Sequence, residues 1–421
     1  MHCIYSTIFF KITTVRTKLH NCYLVNSAPA VYDYFHHASV GGGESRMGAL
    51  TGKRILVLAN DIKTIRWFRM ELLRALLGLG AEVHLVMPDA GDERDLLDMG
   101  CLIHHVKLSR HGCNPLVELG LLGQYRAIFQ RLRPDLVLSF TIKPNIYGTL
   151  TAHRAGCPIV CNITGTGAAF LKNNGLSTVI RHLYRYALPH AHRVFFQNRE
   201  DMHYFQTHRL LGGNGELLPW GSGVNLTLHT PSPMPPDGIT HFVFVGRVVA
   251  IKGVDTLFAC AERMAREKLP CRFHIAGLVE ASRYQKRIKA LREAGVLIDH
   301  GLCSPIDPVL RACHCVVLPS LGGEGVPNSL MEGSACGRAC IASRVNGSRD
   351  VVIDGKTGFL FPAGDEEALY DCLVRFMRLP YAEKVAMGQA GRRHVEAHYD
   401  RQNVVDRYCR EAIELLGGEP T

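Results

Sequence analysis

Short, wholly apolar runs alternate with amphipathic stretches along this chain, halt at a proline-rich break, and then begin again. Ile55-Leu56-Val57-Leu58 is the first such run, the pattern of a strand buried on both faces. Phe68, Leu72, Leu76 and Leu79 follow at spacings of three and four, which predicts a helix over 65–79 ended by Gly80. Further strands are expected at 82–87, 101–106, 135–139, 159–162 and 193–197, with a helix at 116–132. Residues 218–238 hold Pro219, Pro231, Pro233, Pro235 and Pro236 and read as a linker. Strands at 242–245, 272–276 and 316–318 then alternate with helices at 254–268, 284–294 and 328–336, and a last helix is expected over 401–416. The alternation predicts an α/β chain with parallel strands and right-handed crossovers, built as two Rossmann-like domains facing a central cleft, 47–220 and 221–400.

Charge narrows the function classes. The 421 residues carry a formal net charge of +10. Residues 47–230 hold 20 Lys and Arg against 13 Asp and Glu, whereas residues 231–421 hold 24 against 23. The excess therefore sits in the first domain, where an anionic lipid surface or a phosphate group is a better partner than nucleic acid. The 15 cysteines include no CxxC pair and mostly lie in apolar runs, which fits a reducing compartment. No run of 18 apolar residues occurs, so any membrane contact is expected to be peripheral. The first 46 residues read as an accessory, poorly ordered extension, with a mitochondrial-type presequence as the alternative.

Two segments of the second domain carry the chemistry. Glu324-Gly325-Val326-Pro327-Asn328-Ser329-Leu330-Met331-Glu332 follows a strand, with Gly322 and Gly323 just before it. Glycines let the backbone approach a ligand, Asn328 or Ser329 can cap the helix that starts there, and the helix N-terminus offers N–H groups to a phosphate. Glu324 is placed in the loop and Glu332 about one turn into the helix, both suited to sugar hydroxyls. Gly246-Arg247-Val248-Val249-Ala250-Ile251-Lys252-Gly253 follows the first strand of the same domain, and Arg247 and Lys252 are expected to meet one diphosphate. A surface Glu pair and a solvated basic loop are the plain alternatives for each segment alone.

Taken together, the two segments resemble the retaining glycosyltransferases of the family 4 type, with GT-B architecture, over about residues 53–416; Asp354-Gly355-Lys356-Thr357-Gly358 is similar to that family's late glycine turn. The resemblance implies that Glu324 contacts the donor sugar near the reacting carbon and that Gly325, Val326, Pro327, Asn328 and Ser329 line that sugar. It implies that Glu332 clamps the ribose, that Gly246, Arg247 and Lys252 bind and stabilise the leaving diphosphate, and that Ile306 in the Ser304-Pro305-Ile306 turn holds the base. It also implies that 401–421 completes the first domain and that this domain binds the acceptor. The segments Asp61–Arg69, Ser109-Arg110 with Asn114-Pro115, and Phe140–Asn145 look like those of enzymes that extend a polyprenyl-diphosphate-linked saccharide in cell-surface polysaccharide synthesis. Arg66, Arg69, Arg110 and Lys143 are the candidate acceptor-phosphate ligands, and Thr166 lies in a loop expected to face the reacting centre. The implied donor is a nucleotide sugar, UDP-linked, carrying a HexNAc or hexose. No cofactor and no metal are expected, and the implied location is the cytoplasmic face of the plasma membrane.

Asn162–Ala168 fails as a dinucleotide fingerprint because Phe170 stands where a small residue is needed. Residues 170–192 mix basic and aromatic side chains, as an interfacial helix or as a packed helix with a basic edge. Cys313-His314-Cys315 has the wrong spacing for zinc. A sugar-nucleotide 2-epimerase of the same architecture and a non-catalytic carbohydrate-binding partner are the competing functions.

Overall fold

The computed structural model describes residues 48–108, 114–167, 170 and 175–417, so the 1–46 extension lies outside it. Within β1 (Arg54–Leu58), Ile55 and Val57 enter one core and Leu56 and Leu58 another, which is why the run is apolar without interruption. The first sheet is completed by β2 (Glu82–Met87), β3 (Leu102–His105), β4 (Leu136–Phe140), β5 (Ile159–Ile163), β6 (Arg193–Phe196) and β7 (Gly215–Leu217). Its order is β3-β2-β1-β4-β5-β6-β7, with every pair parallel.

The second sheet repeats the plan. It comprises β8 (Thr240–Val245), β9 (Cys271–Ala276), β10 (Leu297–Asp299), β11 (Cys315–Leu318), β12 (Ala339–Ser343) and β13 (Gly358–Phe361), in the order β10-β9-β8-β11-β12-β13. These pairs too are all parallel. The last helix, Arg401–Leu416, lies beyond the second sheet in sequence but places Val404, Val405, Tyr408 and Ala412 in the core of the first.

The sequence pattern differs from the structure at several elements. The single helix expected over 65–79 is two, Ile62–Phe68 and Met70–Gly78, parted at Arg69, whose backbone leaves the helical region (φ −133°, ψ −1°). Its guanidinium is buried 4.3 Å above the Phe140 ring instead of following the helix surface. The structure adds β7, β10, β12 and β13, of three to five residues, to the strands expected from the sequence. Helices Glu366–Arg378 and Tyr381–His398 were missed as well; Gly388 lets the latter approach so closely that a Cβ there would stand 2.1 Å from the Gly337 carbonyl oxygen.

Candidate active site

Both sheets reverse direction at one point, between β1 and β4 and between β8 and β11, and ligands of such sheets bind beyond the carboxyl ends of the strands there. In the second domain the loops after β8 and β11 converge. Gly253 turns in the left-handed region (φ +67°) against Pro319, where any side chain would meet the Pro319 carbonyl at 1.8 Å. This contact sets Lys252 beside Glu324. The Lys252 ammonium donates to both carboxylate oxygens, at 2.6 Å (Oε1) and 2.8 Å (Oε2), and the Ser320 hydroxyl donates to Oε1. Glu324 is only 7% exposed. Breaking such a pair from one side leaves a largely desolvated charge without its counterion. Arg247, on the same loop, is exposed, and its side chain makes no ion pair among the described residues.

The helix Asn328–Ala335 begins immediately after this pair. Pro327 is its N-cap and no side chain caps it, so neither Asn328 nor Ser329 does so. Uncapped N–H groups at a cleft are an anion site waiting for its ligand's charge. Asn328 Oδ1 is buried without a hydrogen-bond partner, and Ser329 is buried beside it. Glu332 lies one turn in, half-buried. Desolvation raises its pKa, partly offset by His229 and Arg401 and reinforced by Asp307. Ile306 is half-buried at the N-cap of the short helix Asp307–Arg311.

The first domain grips the loop that carries Glu324 through its backbone. Gly167 N–H donates to the Gly323 carbonyl (3.1 Å), and Asn198 Nδ2 donates to the Glu324 carbonyl (3.2 Å). Gln197 Oε1 accepts from Val326 N–H (3.1 Å), so that amide is not available to a sugar. The seam is lined by glycine because nothing larger fits. A Cβ on Gly165 would come within 2.7 Å of Gly325 N, and one on Gly325 within 2.3 Å of Gln197 Oε1. Gln197 and Asn198, at the end of β6, escaped sequence reasoning, since an amide side chain after a strand carries no distinguishing signal.

The first-domain cations are placed differently from the expectation. Arg66 is held by Asp95 (Nε 2.8 Å) and the Asp92 carbonyl (2.6 Å). Arg69 is 1% exposed, with desolvation lowering its pKa to about 10, so it lies beneath the cleft floor out of an acceptor's reach. Lys143 is paired with Glu118 at 2.5 Å. Arg110 lies outside the described residues. Asp61 caps the Ile62–Phe68 helix by accepting from Lys63 N–H (2.9 Å). Thr166 is buried and donates to Asp201 Oδ1 (3.4 Å), and burial raises the pKa of that carboxyl despite its bonds to Asn198 and Thr166. Thr166 and Asp201 form the inner wall of a cavity of about 570 Å³ whose rim includes the exposed Arg199 and His203, with Tyr204 and Asn346. This cavity adjoins the Glu324 loop through Asn198; of its lining, the sequence pointed only to Thr166.

Two Rossmann-like domains closed on each other through a glycine seam, with a Lys–Glu pair and an uncapped helix at the seam, define a glycosyltransferase of GT-B fold. Residues 54–198 match the family described as "Glycosyl transferase 4-like", and residues 240–378 match "Glycosyl transferases group 1". Together the two matches span about two thirds of the chain, which thus carries both glycosyltransferase domains. It is 25% identical over 375 residues to the N,N'-diacetylbacillosaminyl-diphospho-undecaprenol alpha-1,3-N-acetylgalactosaminyltransferase of Campylobacter jejuni, covering 85% of this chain and 97% of that one. Among solved structures it resembles sucrose-phosphate synthase from Thermosynechococcus elongatus (TM-score 0.73, 18% identity, 87% of this chain and 100% of that one). It also resembles Anabaena HepE in complex with UDP and glucose (TM-score 0.68, 16% identity, 86% and 99%). No helix among the described residues is long and apolar enough to cross a membrane.

Proposed function

We propose that this glycosyltransferase moves a HexNAc or hexose unit from a UDP-sugar to a polyprenyl-diphosphate-linked saccharide, with retention at the anomeric carbon, in cell-surface polysaccharide synthesis. The carrying observation is the Lys252–Glu324 pair at the foot of an uncapped helix. A donor diphosphate brings the negative charge that Lys252, Arg247 and the helix N-terminus lack, and so competes with Glu324 for Lys252. Glu324, released from Lys252, accepts from donor-sugar hydroxyls, while Glu332 accepts from the ribose. As the glycosidic bond breaks, Arg247 and Lys252 stabilise the diphosphate leaving group, the work a metal does elsewhere. The acceptor hydroxyl attacks from the same face, and its proton passes to the departing phosphate oxygen. No nucleophile from the protein and no metal take part.

The similarity to a transferase named for an undecaprenol-linked acceptor and to a structure holding UDP supports this choice of substrates. The acceptor enters through the Thr166–Asp201 cavity, where Arg199 and His203 are in place for its anionic part. A membrane location is supported by apolar side chains that the first domain leaves in water. Leu116 (78%) and Leu119 (63%) lie on the helix Pro115–Leu132, and Val179 (53%) and Tyr186 (67%) on the helix Gly175–Ala187, which also carries Arg181 and Arg185.

The deciding experiment incubates the chain with UDP-, GDP- and dTDP-sugars, with and without lipid-linked saccharide, and measures nucleotide release and product anomericity. Acceptor-dependent release from a UDP-sugar with a retained linkage is expected. Conversion of the donor to its epimer without acceptor would establish the 2-epimerase instead, and donor binding without turnover would establish a binding protein.

A further inference from the structure

Behind the Glu332 helix, three side chains from three separate elements converge in the interior. His229 follows the interdomain crossing, Asp307 opens the helix Asp307–Arg311, and Cys336 closes the helix that carries Glu332. All three are buried, and their ligand atoms lie within 4.8 Å of one another. His229 Nδ1 stands 3.1 Å from Asp307 Oδ1, and Cys336 Sγ stands 3.6 Å from the same oxygen. Typical zinc bond lengths in tetrahedral geometry give about 3.3 Å between an imidazole nitrogen and a carboxylate oxygen, and about 3.5 Å between a thiolate and that oxygen. Two of the three ligand-to-ligand edges therefore match a tetrahedron, and the third lies within 4.8 Å. The other oxygen, Asp307 Oδ2, is buried with no hydrogen-bond partner, on a side chain whose residue is 7% exposed. An ion held on Oδ1 would stand beside this lone oxygen and neutralise the carboxylate that carries it.

A second grouping, Asp89, Glu93 and His105, does not meet the same standard. Asp89 and His105 are exposed, and both Glu93 oxygens already meet His105 Nε2, at 3.0 and 2.9 Å. The difference is burial joined to an unsatisfied oxygen on a ligand side chain.

We propose that His229, Asp307 and Cys336 form a zinc(II) site, with water as the fourth ligand. The nitrogen, oxygen and sulfur donors suit a borderline-soft ion, and carboxylate plus thiolate neutralise its charge. On binding, the Cys336 thiol proton leaves to solvent and a zinc–sulfur bond forms, with no change of oxidation state. The ion ties the crossing segment at His229 to both ends of the nucleotide-facing wall, the turn at Ile306 and the helix of Glu332. It takes no part in the transfer reaction.

The test reads metal rather than activity. The full chain is equilibrated with zinc, freed of loose metal and assayed by mass spectrometry, and the metal-free chain is titrated with cobalt(II). One metal per chain above the level held by Cys336→Ser and by His229→Gln is expected, with a tetrahedral cobalt spectrum that includes a thiolate charge-transfer band. That band is absent from Cys336→Ser, whose fold is checked by circular dichroism; Asp307→Asn serves as a third variant if a substitution unfolds the chain. A wild-type chain that holds no more metal than these variants, or a cobalt spectrum with no thiolate band, overturns the site.

Discussion

The six strands of the second sheet repeat the order of the first six of the first sheet, yet the helices after β1 and β8 begin in opposite ways. In the first domain the chain satisfies the helix end after β1 and its nearby charges, although the helix after β4 begins at Lys143 with no side-chain cap. Asp61, Asn114 and Asn198 cap helices with their side chains, and Arg66 and Lys143 are committed to Asp95 and Glu118. In the second domain the two helices beside the switch point begin at Gly253 and Pro327 with no side-chain cap, and Arg247 stands unpaired among the described residues. Equal topology thus yields one half whose cations Arg66 and Lys143 are already paired and one that leaves Arg247 without an ion-pair partner among the described residues. A surplus of charge in the sequence does not mark a binding site; charge left without a partner does.

The largest expected effect falls on the second half. Glu324→Gln and Lys252→Ala should each lower kcat/KM by roughly 10²–10³, the usual scale for losing one preorganised electrostatic group. Arg247→Ala should act mainly on the donor, raising its KM about tenfold. Steady-state kinetics with a saturating lipid-linked acceptor reads both. Unchanged rates in all three variants would erase the contrast between the halves.

The next effect is on stability against pH. In the second sheet His314 Nδ1 accepts from His241 N–H (3.0 Å), and the rings of His241, His274 and His300 are linked at 2.7 and 2.9 Å. Desolvation depresses His274 and His314 to about 4. Their folded pKa values lie below the unfolded 6.5, so the unfolded chain binds more protons between these limits. The stability from neutral, buried imidazoles is therefore complete above about pH 6.5 and is lost as the pH falls toward 4. Each ring accounts for up to roughly 3 kcal/mol. Thermal melting from pH 7.5 to 4.5 should show a steep fall that flattens in His274→Gln. An equal slope in that variant would remove this histidine row from the account.

Much of the fold could be read beforehand, because strands buried on both faces leave uninterrupted apolar runs such as 55–58 and 242–245. Short edge strands such as Leu297–Asp299 carry too few residues to show a period. In the site, the glycines and charged residues after β8 and β11 stand out since they lie within a few positions of one another. What those charges do was illegible. Asp95 lies 29 positions from Arg66, and Glu118 lies 25 from Lys143, so only the folded chain shows that these cations are already occupied. Buried Arg69 was hidden for a similar reason: its ring partner, Phe140, is on β4.

A smaller change is expected at the helix start that the first domain completes for itself. Asp61→Ala removes the acceptor of Lys63 N–H and should cost about 1 kcal/mol in urea unfolding. It should leave donor KM unchanged; a large rise in that value would mean that Asp61 serves the donor as well as its own helix.

The smallest effect is the sharpest test of the comparison. Arg66 spends its Nε and one terminal nitrogen on Asp95 and the Asp92 carbonyl, at an edge where the pair is one-third exposed. Exposed pairs contribute about 0.2–1 kcal/mol, so Arg66→Ala should barely lower stability. Since its guanidinium is committed to those oxygens, acceptor KM should change by less than about twofold, against roughly tenfold for Arg199→Ala at the cavity rim. The two residues carry the same charge on the same domain, so a difference in net charge cannot explain a difference in KM. If Arg66→Ala instead raises acceptor KM as much as Arg199→Ala does, Asp95 yields its partner to the lipid diphosphate. The first domain then keeps its anion site latched rather than lacking one.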